Sequence, residues 1–298
     1  MTVGIIGLGK MGRAIAQRMV GAGHDVFGYD LGQDAKAQAE KIGVQIVDSL
    51  QDLCKQVNIF WLMIPSGEPV DKTIELLTTH LQEGDIIVDG GNSNFNYTVK
   101  RAALLAEKNI FFLDCGTSGG LHGKEIGFSL MIGGDKNAYA KLVPLFEAVA
   151  APNGFAHLGQ SGAGHYVKMV HNGIEYGLLQ AYAEGFHLLK EGSYKELDLK
   201  AVANVWQNGG VIRSWLLDLT HEIFVEQPDF EKIVGQIQEG GTGKWMVKEA
   251  EKQNIPVPVI QEARAVRTRS QKGEENFATK LIVLLRNKFG GHAVKKRL

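Results

Sequence analysis

Cysteine is almost absent. Cys54 and Cys115 are the only two in 298 residues, and they stand in no metal-ligand or redox spacing. Such a pair builds no disulfide framework. Excess charge of either sign is also missing: 32 basic side chains against 33 acidic ones leave a formal net charge of -1. That balance offers no general attraction to nucleic acid or to an anionic membrane. No apolar run approaches membrane-spanning length, and "IFWLMIP" is a buried strand at most. The opening "MTVGIIGLGKMG" lacks a basic leader, a long apolar core and a cleavage site, so no secretory signal is read there. A cytoplasmic location is the expectation. What is present is an ordinary globular composition, 44% hydrophobic and 22% charged, in a chain long enough for one large domain or two ordinary ones.

The pattern along the chain divides it in two. Short apolar runs rich in Val, Ile and Phe ("TVGIIG", "DVFGYD", "VNIFWLMI", "DIIVDGG", "IFFLDCG", "FSLMIGG") read as strands. Amphipathic stretches such as "MGRAIAQRMVGAG", "PVDKTIELLTTHL", "NYTVKRAALLAEKN" and "NAYAKLVPLFEAVA" alternate with them at helical periodicity. Alternation of this kind implies a doubly wound, mostly parallel α/β sheet. After "GFAHLG" the strands stop and helix follows helix. The expected organisation is a Rossmann-like dinucleotide-binding domain over 1–160, then an all-α domain over 161–298 for substrate binding and oligomerisation.

Gly7, Gly9 and Gly12 form G-x-G-x-x-G between the first strand and the first helix. The motif is weak alone, but in this context the first glycine allows a tight turn and the second admits a pyrophosphate to the backbone. The third lets helix pack on strand. The helix N-terminus then offers N–H groups and a positive dipole end to the phosphates. Asp30 closes the second strand near the spacing expected of a ribose-binding acid. A carboxylate there accepts from both ribose hydroxyls and repels a 2′-phosphate, and no arginine follows it, so NAD is favoured over NADP. A helix N-cap is the plainer role for the same aspartate.

The second half opens on "GQSGAGHYVKMVHNGIEYGLLQ". Lys168, His171, Asn172, Glu175 and Tyr176 fall at i, i+3, i+4, i+7 and i+8, one face of a helix. A solvated stripe with an incidental ion pair is the plain reading; a row of catalytic groups on a rigid element is the other. Asn92 and Ser93 end one strand, and Ser118, Gly119 and Gly120 end another, where ligands collect in open α/β sheets. All of these are also ordinary turn residues. Arg264, Arg267, Arg269 and Lys272 cluster late in the chain, and "VKKRL" ends it. Without aromatic interleaving they support nucleic-acid binding poorly.

Together "GLGKMG", "GDIIVDGGNS", "TSGG", "GQSGAGHYVKMVHNGIEYGLLQAY", "GGVIRSWLL", "GTGKW" and "RNKFGGH" resemble decarboxylating 6-phosphogluconate dehydrogenase, in its compact form with fewer C-terminal helices. The resemblance runs from residue 3 to residue 292. It implies oxidation of 6-phosphogluconate and release of CO2 in the pentose phosphate pathway, by a dimer or higher oligomer. It implies coenzyme contacts at Gly7, Leu8, Gly9, Lys10, Met11, Gly12, Asp30, Met63 and Asn92. Lys168 matches the general base and Glu175 the general acid, with Asn172 beside them. Asn92, Ser118, Gly119, Gly120, His171, Asn172 and Tyr176 match substrate positions, and Arg267 an arginine on the sugar phosphate. Arg286 and His292 match a pair delivered by a neighbouring subunit, and the apolar run "ATKLIVLLRNKF" is expected to pack on that partner. Arg264 and Arg269 are expected to be surface.

Two departures stand out. Tyr29-Asp30-Leu31 replaces an Asn-Arg-Thr typical of the long form, which supports NAD. Gly240 stands where a phosphate-binding lysine typically precedes "GTGKW". The implied chemistry asks for a base at the C3 hydroxyl, which a lysine can be if burial favours its neutral amine, and for a second group that protonates the enol left by CO2. No metal motif appears and none is required, since the ketone is the electron sink. Two other readings remain: a β-hydroxyacid dehydrogenase for a small acid such as 3-hydroxyisobutyrate, and a non-catalytic NAD-binding regulator.

Overall fold

The computed structural model describes residues 1–297. They divide into two compact units, one ending at Lys168 and the other beginning at Met169, and each is described by itself. The first unit begins β1 (Thr2–Ile6), α1 (Lys10–Gly21), β2 (Asp25–Tyr29), α2 (Gln33–Glu40), β3 (Gln45–Ile46), α3 (Leu50–Gln56) and β4 (Ile59–Leu62). It continues α4 (Glu68–Thr78), β5 (Ile86–Asp89), α5 (Phe95–Ala106), β6 (Phe111–Ser118), α6 (Gly123–Ile126), β7 (Phe128–Gly134), α7 (Lys136–Val149) and β8 (Ala150–Gly159). The eight strands form one sheet in the order β3-β2-β1-β4-β5-β6-β7-β8, parallel except where β7 runs against β6. The switch in strand order beside β1 puts the glycine loop at the crevice where such sheets bind nucleotides.

Strands buried on both faces explain the continuous apolar runs in the sequence. In β4, Ile59 and Trp61 join the core on one face of the sheet, with Val3, Ile5, Ile15 and Phe146. Phe60 and Leu62 join the core on the other, with Leu53, Leu77, Leu105 and Phe112.

The long helix α8 (Ala163–Glu191, 29 residues) opens in the first unit and runs on in the second. The second unit continues with α9 (Leu199–Gln207), α10 (Trp215–Glu226), α11 (Thr242–Lys252), α12 (Pro258–Ser270) and α13 (Phe277–Gly290). Its core joins Leu179, Ala183 and Phe186 of α8 to Leu217 and Ile223 of α10 and to Leu281, Ile282 and Leu285 of α13. The expectation that the apolar "ATKLIVLLRNKF" packs on a partner chain is therefore corrected: α13 is a central helix of its own unit. No helix among the described residues is long and apolar enough to cross a membrane.

Candidate active site

The first unit builds a dinucleotide cradle from the glycine loop. Gly7 has φ +96°, and a Cβ there would press on the Met63 carbonyl at 2.5 Å. At Gly12 an added Cβ would run into the Gly7 carbonyl, which is the close helix-on-strand contact the third glycine permits. Gly9 differs: nothing lies within 4 Å of the position its Cβ would take. It caps α1 without a side-chain hydrogen bond, and the first turn, which opens on Lys10 and Met11, holds no acidic residue. Uncapped N–H groups under open space are what a pyrophosphate requires, so the residues present fit a dinucleotide. Asp30 accepts the Leu8 N–H on Oδ2 at 2.6 Å and the Gly32 N–H on Oδ1 at 2.7 Å. It thus fastens the loop to the end of β2. It is not a helix cap, since Gly32 caps α2. Leu31 beside it is 87% exposed.

Asn92 is exposed after β5, and Ser118, Gly119 and Gly120 close β6, with φ +131° and +55° at the two glycines. Ser93, by contrast, is buried and serves the scaffold. Its hydroxyl donates to Asp89 at 2.7 Å and accepts from Arg101 at 3.3 Å, while Arg101 also pairs with Asp71 at 2.7 Å.

A second buried polar group, unread in the sequence, sets the start of α8. Asp114 of β6 accepts the Gly162 and His165 N–H groups at 2.7 and 2.8 Å. The His165 ring bridges Thr98 Oγ1 at 2.7 Å and the Asp89 carbonyl at 3.1 Å. One turn later Lys168, 7% exposed, rests its stem on Gly116, where an added Cβ would collide with the lysine Cβ. The only cue in the sequence was polar residues inside an apolar strand.

The second unit holds the remainder of the row. Tyr176, 5% exposed, lies against Gly243 and under Arg267, whose Cζ is 3.2 Å from the ring centroid. Asn172 Nδ2 donates to Thr242 Oγ1 at 3.3 Å, and its Oδ1 is 3.1 Å from His171 Nδ1. Lys168 and Tyr176 are buried while His171, Asn172 and Glu175 are half-buried, so the row is not a solvated stripe.

Arg267 is 2% exposed, and neither terminal guanidinium nitrogen has a hydrogen-bond partner. Burial lowers its pKa to about 10, Arg286 adds to the effect, and Tyr176, Glu175 and Glu239 oppose it. Burial likewise lowers Arg286, against the pull of Tyr176 and Glu175. His292 is pushed down by burial and then by Arg286 and Arg267. Three basic groups therefore share one region of one chain, and two of them feel Glu175. Arg286 and His292, expected to act from a neighbouring subunit, lie near Arg267 within this chain. Gly291 (φ +64°) ends α13 and turns the tail back. Asn287 then donates to the His292 carbonyl at 2.8 Å, and Lys296 bridges to Ile233. Arg264 and Arg269, both expected at the surface, are partly buried; Arg264 pairs with Glu239 at 2.7 Å and the more open Arg269 with Glu262. Among the described residues no group of three or more His, Cys, Asp or Glu could hold a metal ion.

A family model described as the NAD binding domain of 6-phosphogluconate dehydrogenase matches residues 2–159, and one described as the 6-phosphogluconate dehydrogenase C-terminal domain matches residues 164–296. The chain is 48% identical over 302 residues to a Haloferax volcanii protein named NAD(+)-dependent, decarboxylating 6-phosphogluconate dehydrogenase, spanning 100% of this chain and 99% of that one. The solved Plasmodium falciparum 6-phosphogluconate dehydrogenase, studied with NADP+ and with 6-phosphogluconate, matches with TM-score 0.83 and 29% identity over 96% of this chain and 69% of that one. Mycobacterium tuberculosis 3-hydroxyisobutyrate dehydrogenase matches in fold, with TM-score 0.76 and 21% identity over 94% of this chain and 97% of that one.

Proposed function

The chain belongs to the 6-phosphogluconate dehydrogenase family, and on that premise we propose that it converts 6-phosphogluconate to ribulose 5-phosphate and CO2 with NAD as coenzyme. Arg267 carries the choice of substrate. A guanidinium buried with both terminal nitrogens unpartnered is expensive unless a counter-charge arrives with the ligand. The forked geometry of arginine suits a phosphate. A small hydroxy acid brings a carboxylate but no phosphate, and a silent NAD-binding regulator has no use for the buried Lys168.

The bound nicotinamide supplies the hydride acceptor. Lys168 takes the proton of the C3 hydroxyl as the C3 hydride departs, leaving a β-keto acid. Its ammonium then hydrogen-bonds the ketone oxygen and stabilises the negative charge there while the C1–C2 bond breaks and CO2 leaves. Glu175 delivers a proton to the carbon that lost the carboxylate. Asn172 and His171 orient the hydroxyls between them, and Asn92, Ser118, Gly119 and Gly120 hold the sugar acid. Asp30 selects NAD, because a 2′-phosphate would meet its carboxylate and no arginine closely follows it in the chain. The chain works as a homo-oligomer in the cytoplasm. Support for assembly comes from α8, where Ile174, Leu178 and Leu188 are 53%, 43% and 73% exposed and follow a four-three spacing through Ala181 and Gly185.

The test is coenzyme reduction with 6-phosphogluconate against 3-hydroxyisobutyrate, each with NAD and with NADP. Turnover is expected with 6-phosphogluconate and NAD, and Lys168→Met should lower kcat by a factor of about 100 or more. Preference for 3-hydroxyisobutyrate, or near-normal turnover by the lysine variant, would overturn the reading.

A further inference from the structure

Gly240 leaves the phosphate short of one cation. A Cβ added there meets nothing within 4 Å, so space for a side chain exists. A cavity of about 350 Å³ within the helical unit points to a replacement. Gln236, Gln238, Arg286, His292 and Lys295 line it.

Both walls are fixed by backbone pairing. Over residues 233–238 Ile233, Gly235 and Ile237 are buried, while Val234, Gln236 and Gln238 turn outward, the period-two pattern of an extended chain. Ile237 is held on both sides, its N–H donating to Ser270 Oγ at 3.0 Å and its carbonyl accepting from Gln271 at 2.9 Å. The two glutamine amides are thus presented on one side. The tail lies along this segment: Val234 N–H donates to the Lys295 carbonyl at 3.0 Å, and Arg297 N–H to the Lys232 carbonyl at 2.7 Å. An Arg297–Glu275 ion pair at 2.9 Å adds to the hold. Lys295 is thereby brought to a cavity whose floor is already basic, since His292 feels both Arg286 and Arg267. Glu239, the acid nearest in the segment, is engaged by Arg264. Among the described residues Lys295 makes no ion pair of its own.

We propose that Lys295 takes the place of the missing lysine and, with Gln236 and Gln238, completes the subsite for the phosphate of the substrate. Two amides and an ammonium added to Arg286 and His292 give donors on several sides of a tetrahedral anion, where Gly240 gives none. The inference rests on the dehydrogenase reading. It moves one phosphate cation from the Gly-Thr-Gly-Lys-Trp segment to the tail.

Lys295 is exposed, so Lys295→Gln should fold as the parent does. Its KM for 6-phosphogluconate and the inhibition constant of inorganic phosphate should both rise roughly tenfold, with kcat and the KM for NAD changed much less. Lys295→Arg should keep most of the affinity, and Gly240→Lys placed in the Lys295→Gln background should restore it. An active parent whose Lys295→Gln variant keeps both constants would overturn the subsite and leave the dehydrogenase reading standing. Loss of kcat together with thermal stability would overturn it too, by making the tail a structural strap. A parent inactive on 6-phosphogluconate would sink the dehydrogenase reading instead. Titration of inorganic phosphate alone into parent and variant would then still decide the role of Lys295.

Discussion

Asp30 does two things with one carboxylate, and its substitution separates them. Its oxygens already accept the Leu8 and Gly32 N–H groups, so the residue that would meet the ribose also holds the glycine loop in place. Removing the side chain leaves two loop donors unpaired as well as removing the repulsion toward a 2′-phosphate. Asp30→Ala should therefore cost stability of about 1 kcal/mol and raise the KM for both coenzymes. Asp30→Ser combined with Leu31→Arg keeps an acceptor and adds a phosphate partner at a side chain that already faces solvent. The double variant should move the ratio of kcat/KM for NADP over NAD upward by at least about tenfold. Thermal unfolding checks the first effect and the two-coenzyme comparison the second. A parent that already favours NADP would remove the argument.

At the scale of the element, α8 matters because its start is fixed more tightly than a helix terminus requires. Asp114 takes the N–H of Gly162 just before it and of His165 within it, the buried His165 ring ties it to Thr98 and to the end of β5, and Lys168 rests on Gly116. A methyl at Gly116 has no free space, since it would meet the lysine stem and, at 3.0 Å, the Gly164 carbonyl. Gly116→Ala should displace Lys168 by a fraction of an ångström to an ångström. It should lower kcat by about tenfold to a hundredfold while NAD binding, measured by nicotinamide fluorescence, stays near normal. Unchanged kcat would mean that Lys168 needs no such seat. The polar row was legible because helical spacing groups residues without knowledge of the fold, and the glycine loop because three glycines sit between a strand and a helix. The anchors were not. Asp114 lies inside "IFFLDCG", where an acid in an apolar run has no periodicity to give away its partners, and those partners come from residues up to 51 positions later. Elements whose patterning is weak were also missed. β3 has two residues, and β8 is mostly half-exposed or exposed.

For the molecule as a whole the question is how many chains make one phosphate site. An apolar terminal helix carries the same composition whether it fills its own core or a partner's. Periodicity therefore could not decide between the two for α13, and only packing could. In the structure Leu281, Ile282 and Leu285 are within 1% of complete burial in their own unit, and the tail pairs with the Ile233 segment of the same chain. Arg286 feels Glu175 and Tyr176 of that chain as well. Glu175 and the arginine near it should then be inherited together. Chains carrying Glu175→Gln and chains carrying Arg286→Ala can be co-expressed under different tags and the mixed oligomer purified through both. If the pair acts within one chain, every site in the mixture holds one defect, and activity should equal the mean of the two parent variants. If the arginine instead crossed to a neighbour, a mixed dimer with two-fold symmetry would contain one site with both defects and one with none. It would then recover about half of wild-type activity. Recovery of that size would return the tail to the neighbouring subunit, and with it the Lys295 contribution to the phosphate.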